Sequence, residues 1–230
     1  MIRLELPDSS RYLPWYRQLA RRVALLWPLK AVGTMAFMAL FFWGYFAVLE
    51  YPLRPPVTMP VLPPDRWIPF TPLAFPVYVS LWVYVSLPPA LLASLRTLLG
   101  FGAWIAALCL FCLGLFWLWP TAVPAADIDW QLYPQMALIK GIDVGGNACP
   151  SLHVGSAVFA ACWLARLLHN IGAPALLRQA NWLFCLLIVW STIATRQHVL
   201  LDVLAGALVG LLFALASLAQ VARRDGANRL

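Results

Sequence analysis

A chain of 230 residues that is 63% hydrophobic and 11% charged, with a mean hydropathy of +0.79, lies well outside the balance of a water-soluble domain and reads as an integral membrane protein. The formal net charge of +7 is dispersed over several short segments and forms no single tract, which argues against nucleic-acid binding and makes the cations a topology signal. Five cysteines, an odd number, supply no disulfide framework.

In chain order, "RYLPWYRQLARRVALLW" mixes Arg with Trp, Tyr and Leu at near-helical spacing. It predicts an amphipathic helix along the inner interface, within a cytoplasmic or interfacial segment spanning residues 1–30. The first long apolar run starts only after residue 30 and no small-residue cleavage site follows it, so no cleaved signal is expected. Six apolar runs follow, at about 31–50, 70–93, 98–119, 151–169, 181–196 and 199–220. In lipid the backbone must satisfy its own hydrogen bonds, so runs of about 20 residues become helices, and the short alternating segments of a membrane barrel are missing. The expected fold class is therefore all-α: a polytopic membrane bundle of about six transmembrane helices over 31–220, with a cytoplasmic tail at 221–230.

Between these runs, "YPLRPPVTMPVLPPDRWIPFTP" is proline-rich and expected to be extended and stiff. A second loop, from Pro120 to about Pro150, carries Asp127, Asp129, Lys140, Asp143 and Asn147. Only "TRQH" separates the last two runs. With both termini cytoplasmic, 12 of the 16 basic residues fall on the inner side, while Arg54, Arg66, Lys140 and Arg196 fall outside. That orientation puts both loops, "TRQH", His153 and His198 on the extracytoplasmic face. Cys109 and Cys112, three apart in mid-span, read as small packing residues rather than a metal pair, and His169 reads as a solvated turn residue.

Two stretches carry chemistry, "ACPSLHVGSA" and "TRQHVLLDVLAG". His198 and Asp202 are four apart at the start of the last span, so on a helix the carboxylate faces the imidazole and can fix its tautomer, making the other nitrogen a better nucleophile or base. Pro150 favours a first helical turn, which sets His153 near a second helix N-terminus. Two such termini form a cradle for an oxyanion, with Arg196 and Lys140 as cations to complete it. An interfacial His and a helix-start Asp are the bland alternative, weighed against the cost of ionisable groups inside a membrane segment. The constellation suits phosphoryl transfer. Two other classes remain open on residue types: a non-catalytic carrier of an anionic head group, and a zinc hydrolase using His153, His198 and Asp202 as ligands.

"NACPSLHVGSA" followed, one helix later, by "TRQHVLLDVLAG" resembles the second and third signature motifs of the type 2 phosphatidic acid phosphatase superfamily. The Pro-Ser-Leu-His form, the preceding Asp143 and Asn147, the Arg-Gln-His-x-x-x-Asp form and "DRWIPFTP" are most similar to the branch of inositol phosphorylceramide synthase and inositolphosphotransferase-like proteins. The resemblance implies a membrane enzyme that hydrolyses or transfers the phosphoester of a phospholipid or isoprenoid-lipid phosphate, with no metal and no cofactor. It implies His198 as a nucleophile that becomes phosphohistidine, Asp202 as its orienting carboxylate and His153 as general acid and base. Ser151 and Arg196 become phosphate ligands, with Lys140 and Asn147 beside them. The chain departs from the family pattern in three places. No Lys followed seven residues later by Arg-Pro precedes Pro150 in the outer loop: Arg54-Pro55 has the dipeptide but lies before the second span and has Ala47 where the Lys belongs. Thr192 stands where the third motif's Arg belongs, and Leu152 replaces the Gly common in phosphatases.

Overall fold

The computed structural model describes residues 13–136 and 146–227. Helix α1, Trp15–Ala24, starts after Pro14 and ends on Arg21 and Arg22, cations that suit the negative end of a helix. Leu26 then takes a left-handed φ of 56°, breaking the chain before α2, Trp27–Glu50, which Pro28 opens. The amphipathic segment and the first span are thus two helices joined by a two-residue kink.

The proline-rich connection is extended as expected at β1, Val57–Thr58, and departs from that expectation at α3, Pro63–Trp67. Two prolines at the head of α3 fix φ near its helical value, where their missing N–H groups cost nothing. After a turn at Pro72–Ala74, α4 (Phe75–Val79) and α5 (Leu81–Leu91) form the second span, followed by α6, Leu95–Leu118, which Ser94 caps through its side chain. β2, Thr121–Ala122, pairs in parallel with β1 in the register Val57 to Thr121 and Thr58 to Ala122, tying the two long connections together. The last three helices are α7, Leu152–Asn170, α8, Ala175–Ala194, and α9, Leu200–Ala227.

Six stretches are long and apolar enough to cross a bilayer: Trp27–Glu50, Pro72–Leu91, Leu95–Leu118, Leu152–Asn170, Ala175–Ala194 and Leu200–Arg223. They coincide with the six expected runs, except that the fifth begins at Ala175 instead of 181. Pro174 starts that helix, and Arg178 and Gln179 ride on its exposed first turns ahead of the apolar stretch.

Helix α7 is the centre of the bundle, packed against α5, α8 and α9, with Val154, Ala157, Phe159 and Ala161 fully buried. Its closest approach is to α9. A Cβ on Gly206 would collide with the Ser151 carbonyl, and one on Gly210 with the Gly155 carbonyl, so only glycine lets the two backbones meet there. Buried polar pairs fix the rest: Tyr84 donates to Asn181 Oδ1 (2.8 Å), Asn181 Nδ2 to the Ala161 carbonyl (3.1 Å) and Trp163 Nε1 to Ser217 Oγ (2.9 Å). By contrast α2 buries little of its surface in the protein and packs sideways on α5 and α6.

Candidate active site

The turn between α8 and α9 is a Schellman motif. The Gln197 N–H donates to the Thr192 carbonyl (2.9 Å) and the Arg196 N–H to that of Ile193 (2.9 Å), with Arg196 at φ 57° in the left-handed position usually held by glycine. The His198 N–H shares the Thr192 carbonyl at 3.1 Å, which fixes the backbone of the histidine directly. A non-glycine residue in this conformation costs about 1 kcal/mol or more, and tertiary contacts must hold it. They come from the loop around α3. The Arg196 guanidinium donates to the carbonyls of Asp65 (3.3 Å) and Ile68 (3.0 Å), and the Thr71 N–H to that of Ala194 (2.9 Å).

His198 precedes α9 rather than lying on it. Asp202, at the third position of that helix, reaches back so that Oδ2 accepts from the Val199 N–H (3.1 Å), half of a capping box, and stands 3.5 Å from His198 Nδ1. The expected pairing of His and Asp is present as proximity, through a cap instead of a shared helical face. Asp65 completes the cap from outside: Oδ1 accepts from the Leu200 N–H (2.7 Å) and Oδ2 from the Leu62 N–H (2.8 Å). Asp65 is 3% exposed and was not singled out in the sequence. The only available signal was its place in "DRWIPFTP", because its partner lies 135 residues away.

At the head of α7, Ser151 is the N-cap and Pro150 lies outside the helix, so the expected proline start is corrected to a serine cap. Ser151 Oγ accepts from the Val154 N–H (3.3 Å), and its own N–H donates to the Asp202 carbonyl (2.9 Å), which locks the two helix starts to each other. The expected cradle of unpaired N–H groups is accordingly reduced, since Val154, Val199 and Leu200 already have side-chain acceptors. His153, in the first turn, stacks on Tyr78 with ring centroids 4.3 Å apart and meets the edge of Trp82 at 5.5 Å. The rings of His153 and His198 are 6.2 Å apart, close enough to flank one small group.

Unsatisfied buried polar atoms cluster here, whereas elsewhere among the described residues only Arg22 Nε and Arg178 Nε lack a partner. His153 Nε2, His198 Nδ1, Asp202 Oδ1 and the neighbouring Gln197 Nε2 are buried without a hydrogen-bond partner among the described residues. Buried polar atoms are nearly always paired, so such a cluster marks a position built for a polar ligand. Among the described residues no group of three or more His, Cys, Asp and Glu side chains is arranged to hold a metal ion. Cys149 sits beside the site as a neutral thiol: burial, reinforced by the Asp202 carboxylate, pushes it up to about 11.

Of the other expected ligands, Asn147 lines the same cavity as the two histidines. Asn147, buried at φ 60°, donates through Nδ2 to the Tyr45 carbonyl (3.3 Å) and ties its loop to the end of α2. Lys140 and Asp143 lie outside the described residues. Arg54 stacks over Trp119, its guanidinium 5.9 Å from the ring centre. His169 lies at the other end of the bundle, its Nδ1 at 3.3 Å from an Arg178 guanidinium nitrogen.

A cavity of about 560 Å³ opens from the two histidines into the bundle, walled by α2, α5 and α6 and lined largely by aromatic and aliphatic side chains. Asn147, His153, Ser156 and His198 line one end, and Lys30 stands at the opposite end, with Thr34 and Ser86 between. The family model for the PAP2 superfamily matches residues 102–225, more than half of the chain, and encloses His153, His198 and Asp202 while leaving out α2 and the Asp65 loop. No curated protein and no solved structure matches the chain.

Proposed function

The chain belongs to the PAP2 superfamily, and from that premise, which supports a phosphatase or phosphotransferase activity on lipid phosphoesters, we propose that it works through a phosphohistidine on His198. The observation that carries this reading is the set of orphaned buried polar atoms on His153, His198 and Asp202, gathered at the mouth of an apolar cavity. A phosphate held between the two rings gives His153 Nε2 its missing partner, Asp202 stands 3.5 Å from His198 Nδ1 to take its hydrogen bond, and the hydrocarbon attached to the phosphate has an apolar place to lie.

In the first half-reaction Asp202 accepts the Nδ1 proton of His198 in a hydrogen bond, which leaves the Nε2 lone pair free to attack phosphorus. The bond from phosphorus to the leaving oxygen breaks, and His153 gives that oxygen its proton. In the second half-reaction the neutral His153 takes the proton of an acceptor hydroxyl, whose oxygen attacks the phosphohistidine and releases His198. Water as acceptor makes the protein a lipid phosphatase, and a polyol or lipid hydroxyl makes it a head-group phosphotransferase. The Pro-Ser-Leu-His and Arg-Gln-His-x-x-x-Asp forms favour the transferase branch. Ser151 and Arg196 are already engaged by backbone groups, so their part is first to hold the two helix starts. The excess of Lys and Arg toward the termini and the opposite end of the bundle supports an extracytoplasmic site with both termini cytoplasmic.

Product analysis tests the proposal. Purified wild type and His198→Ala are given head-group-labelled phospholipids with and without polyol or lipid acceptors. Wild type is expected to release phosphate or to label the acceptor, and the variant to lose about a thousandfold or more of that rate. Equal lipid binding by both forms with no turnover in either would instead support a carrier of anionic lipids.

A further inference from the structure

We propose that the cavity below the histidines is a measuring groove for one long hydrocarbon chain of the substrate, reaching past the bilayer midplane, and that Gly33 and Gly102 keep its far half open. This rests on the phosphoester reading above, because that reading puts the substrate's phosphate between His153 and His198.

The cavity touches α2 at both Tyr45, beside the histidine end, and Lys30, at the other. Those residues are 15 positions apart on an unbroken helix, about 22 Å at 1.5 Å per residue. One leaflet of hydrocarbon is about 15 Å deep, half of a core of about 30 Å, so a chain that fills the groove passes beyond the leaflet in which its phosphate sits. Lys30 marks the far end. The Lys30 ammonium is buried and donates to the Arg22 and Ala90 carbonyls, a cation lodged against the ends of α1 and α5.

Toward that end the walls carry two glycines. At Gly33 on α2 and Gly102 on α6 nothing lies within 4 Å of the position a Cβ would take, although both residues line the cavity. Glycine inside a helix costs about 1 kcal/mol relative to alanine, and here neither position is needed for a close helix contact or a positive φ. What the missing side chains leave is room. Selection by such a groove works through fit, because a chain drawn from lipid gains no hydrophobic transfer on moving into an apolar wall.

The test uses the full-length protein with dodecyl phosphate, whose chain stops short of the glycines, and eicosyl phosphate, whose chain reaches them. Gly33→Leu and Gly102→Leu both add helix-favouring side chains into open space, so folding is preserved. Each is expected to lower kcat/KM for eicosyl phosphate by about tenfold, the effect of overfilling a packed site, while dodecyl phosphate stays within about twofold. Equal changes for both chains, or none for either, would overturn the groove. A second measurement does not depend on turnover. Eicosyl phosphate bearing a terminal diazirine should crosslink to α2 and α6 around Gly33 and Gly102 in wild type and in His198→Ala alike. Crosslinks confined to the neighbourhood of Tyr45 would sink the proposal. Turnover of labelled phospholipids without any chain-length response would leave the catalytic reading standing and remove the groove alone.

Discussion

Asp65 holds the turn that carries His198 from outside the family-matched region. Its two carboxylate oxygens satisfy one N–H at the start of α9 and one in its own loop, and its carbonyl accepts from Arg196. Removing the carboxylate leaves two buried or half-buried donors without partners, which costs about 1–3 kcal/mol. Asp65→Ala should therefore lower the melting temperature in detergent and reduce kcat by more than the stability loss explains, since His198 is displaced relative to His153. Asp65→Asn, which keeps an acceptor, should recover part of both. Arg66→Ala, an exposed neighbour, serves as the control and should leave melting and turnover unchanged within error. If Asp65→Ala turns over lipid at the wild-type rate, the turn does not need this clamp.

At the scale of helices, the distance between the two histidines is set by the crossing of α7 and α9. The Ser151 N–H bonded to the Asp202 carbonyl and the glycine contacts one and two turns further along bring both helix starts to the same level. A methyl group at Gly206 or Gly210 meets a backbone carbonyl, which cannot move aside like a side chain, whereas one at Gly155 meets the Gly206 carbonyl at 3.2 Å. Gly206→Ala and Gly210→Ala are thus expected to destabilise by about 1–3 kcal/mol and to abolish most activity, with Gly155→Ala milder on both counts. Thermal melts and turnover of the three variants give the ranking. An order with Gly155→Ala as the most damaging would show that the helix crossing is not the constraint.

For the whole molecule, the six apolar helices place the loops around β1, β2 and the Schellman turn at one end and the α7–α8 turn at the other. The excess of Lys and Arg on the latter side and at the termini predicts that the histidine end is extracytoplasmic. Thr58→Cys and Gly172→Cys, each in a Cys149→Ser background, read this directly. A membrane-impermeant maleimide added to intact cells should label the first and not the second. Labelling at position 172 alone would invert the orientation and with it the face on which the chemistry occurs.

Much of this was legible in the chain. Six runs of about 20 apolar residues dictate six helices because lipid offers the backbone no other partner, and the spans found differ from those expected mainly where polar residues extend a helix beyond its apolar part, as at Ala175. That His153, His198 and Asp202 would meet was legible because ionisable residues at the heads of apolar runs are few and costly, and because His198 and Asp202 are neighbours in sequence. What sequence could not show is what depends on contacts between distant segments. The serine cap that replaces a proline start, the carboxylate of Asp65 on the Leu200 N–H and the engagement of Arg196 by the α3 loop each join residues whose pairing no periodicity encodes. The groove likewise exists only in three dimensions. A glycine in an apolar run reads the same whether it lets two helices touch, as Gly206 does, or leaves a space between them, as Gly102 does, and only the position of the neighbouring helix decides which.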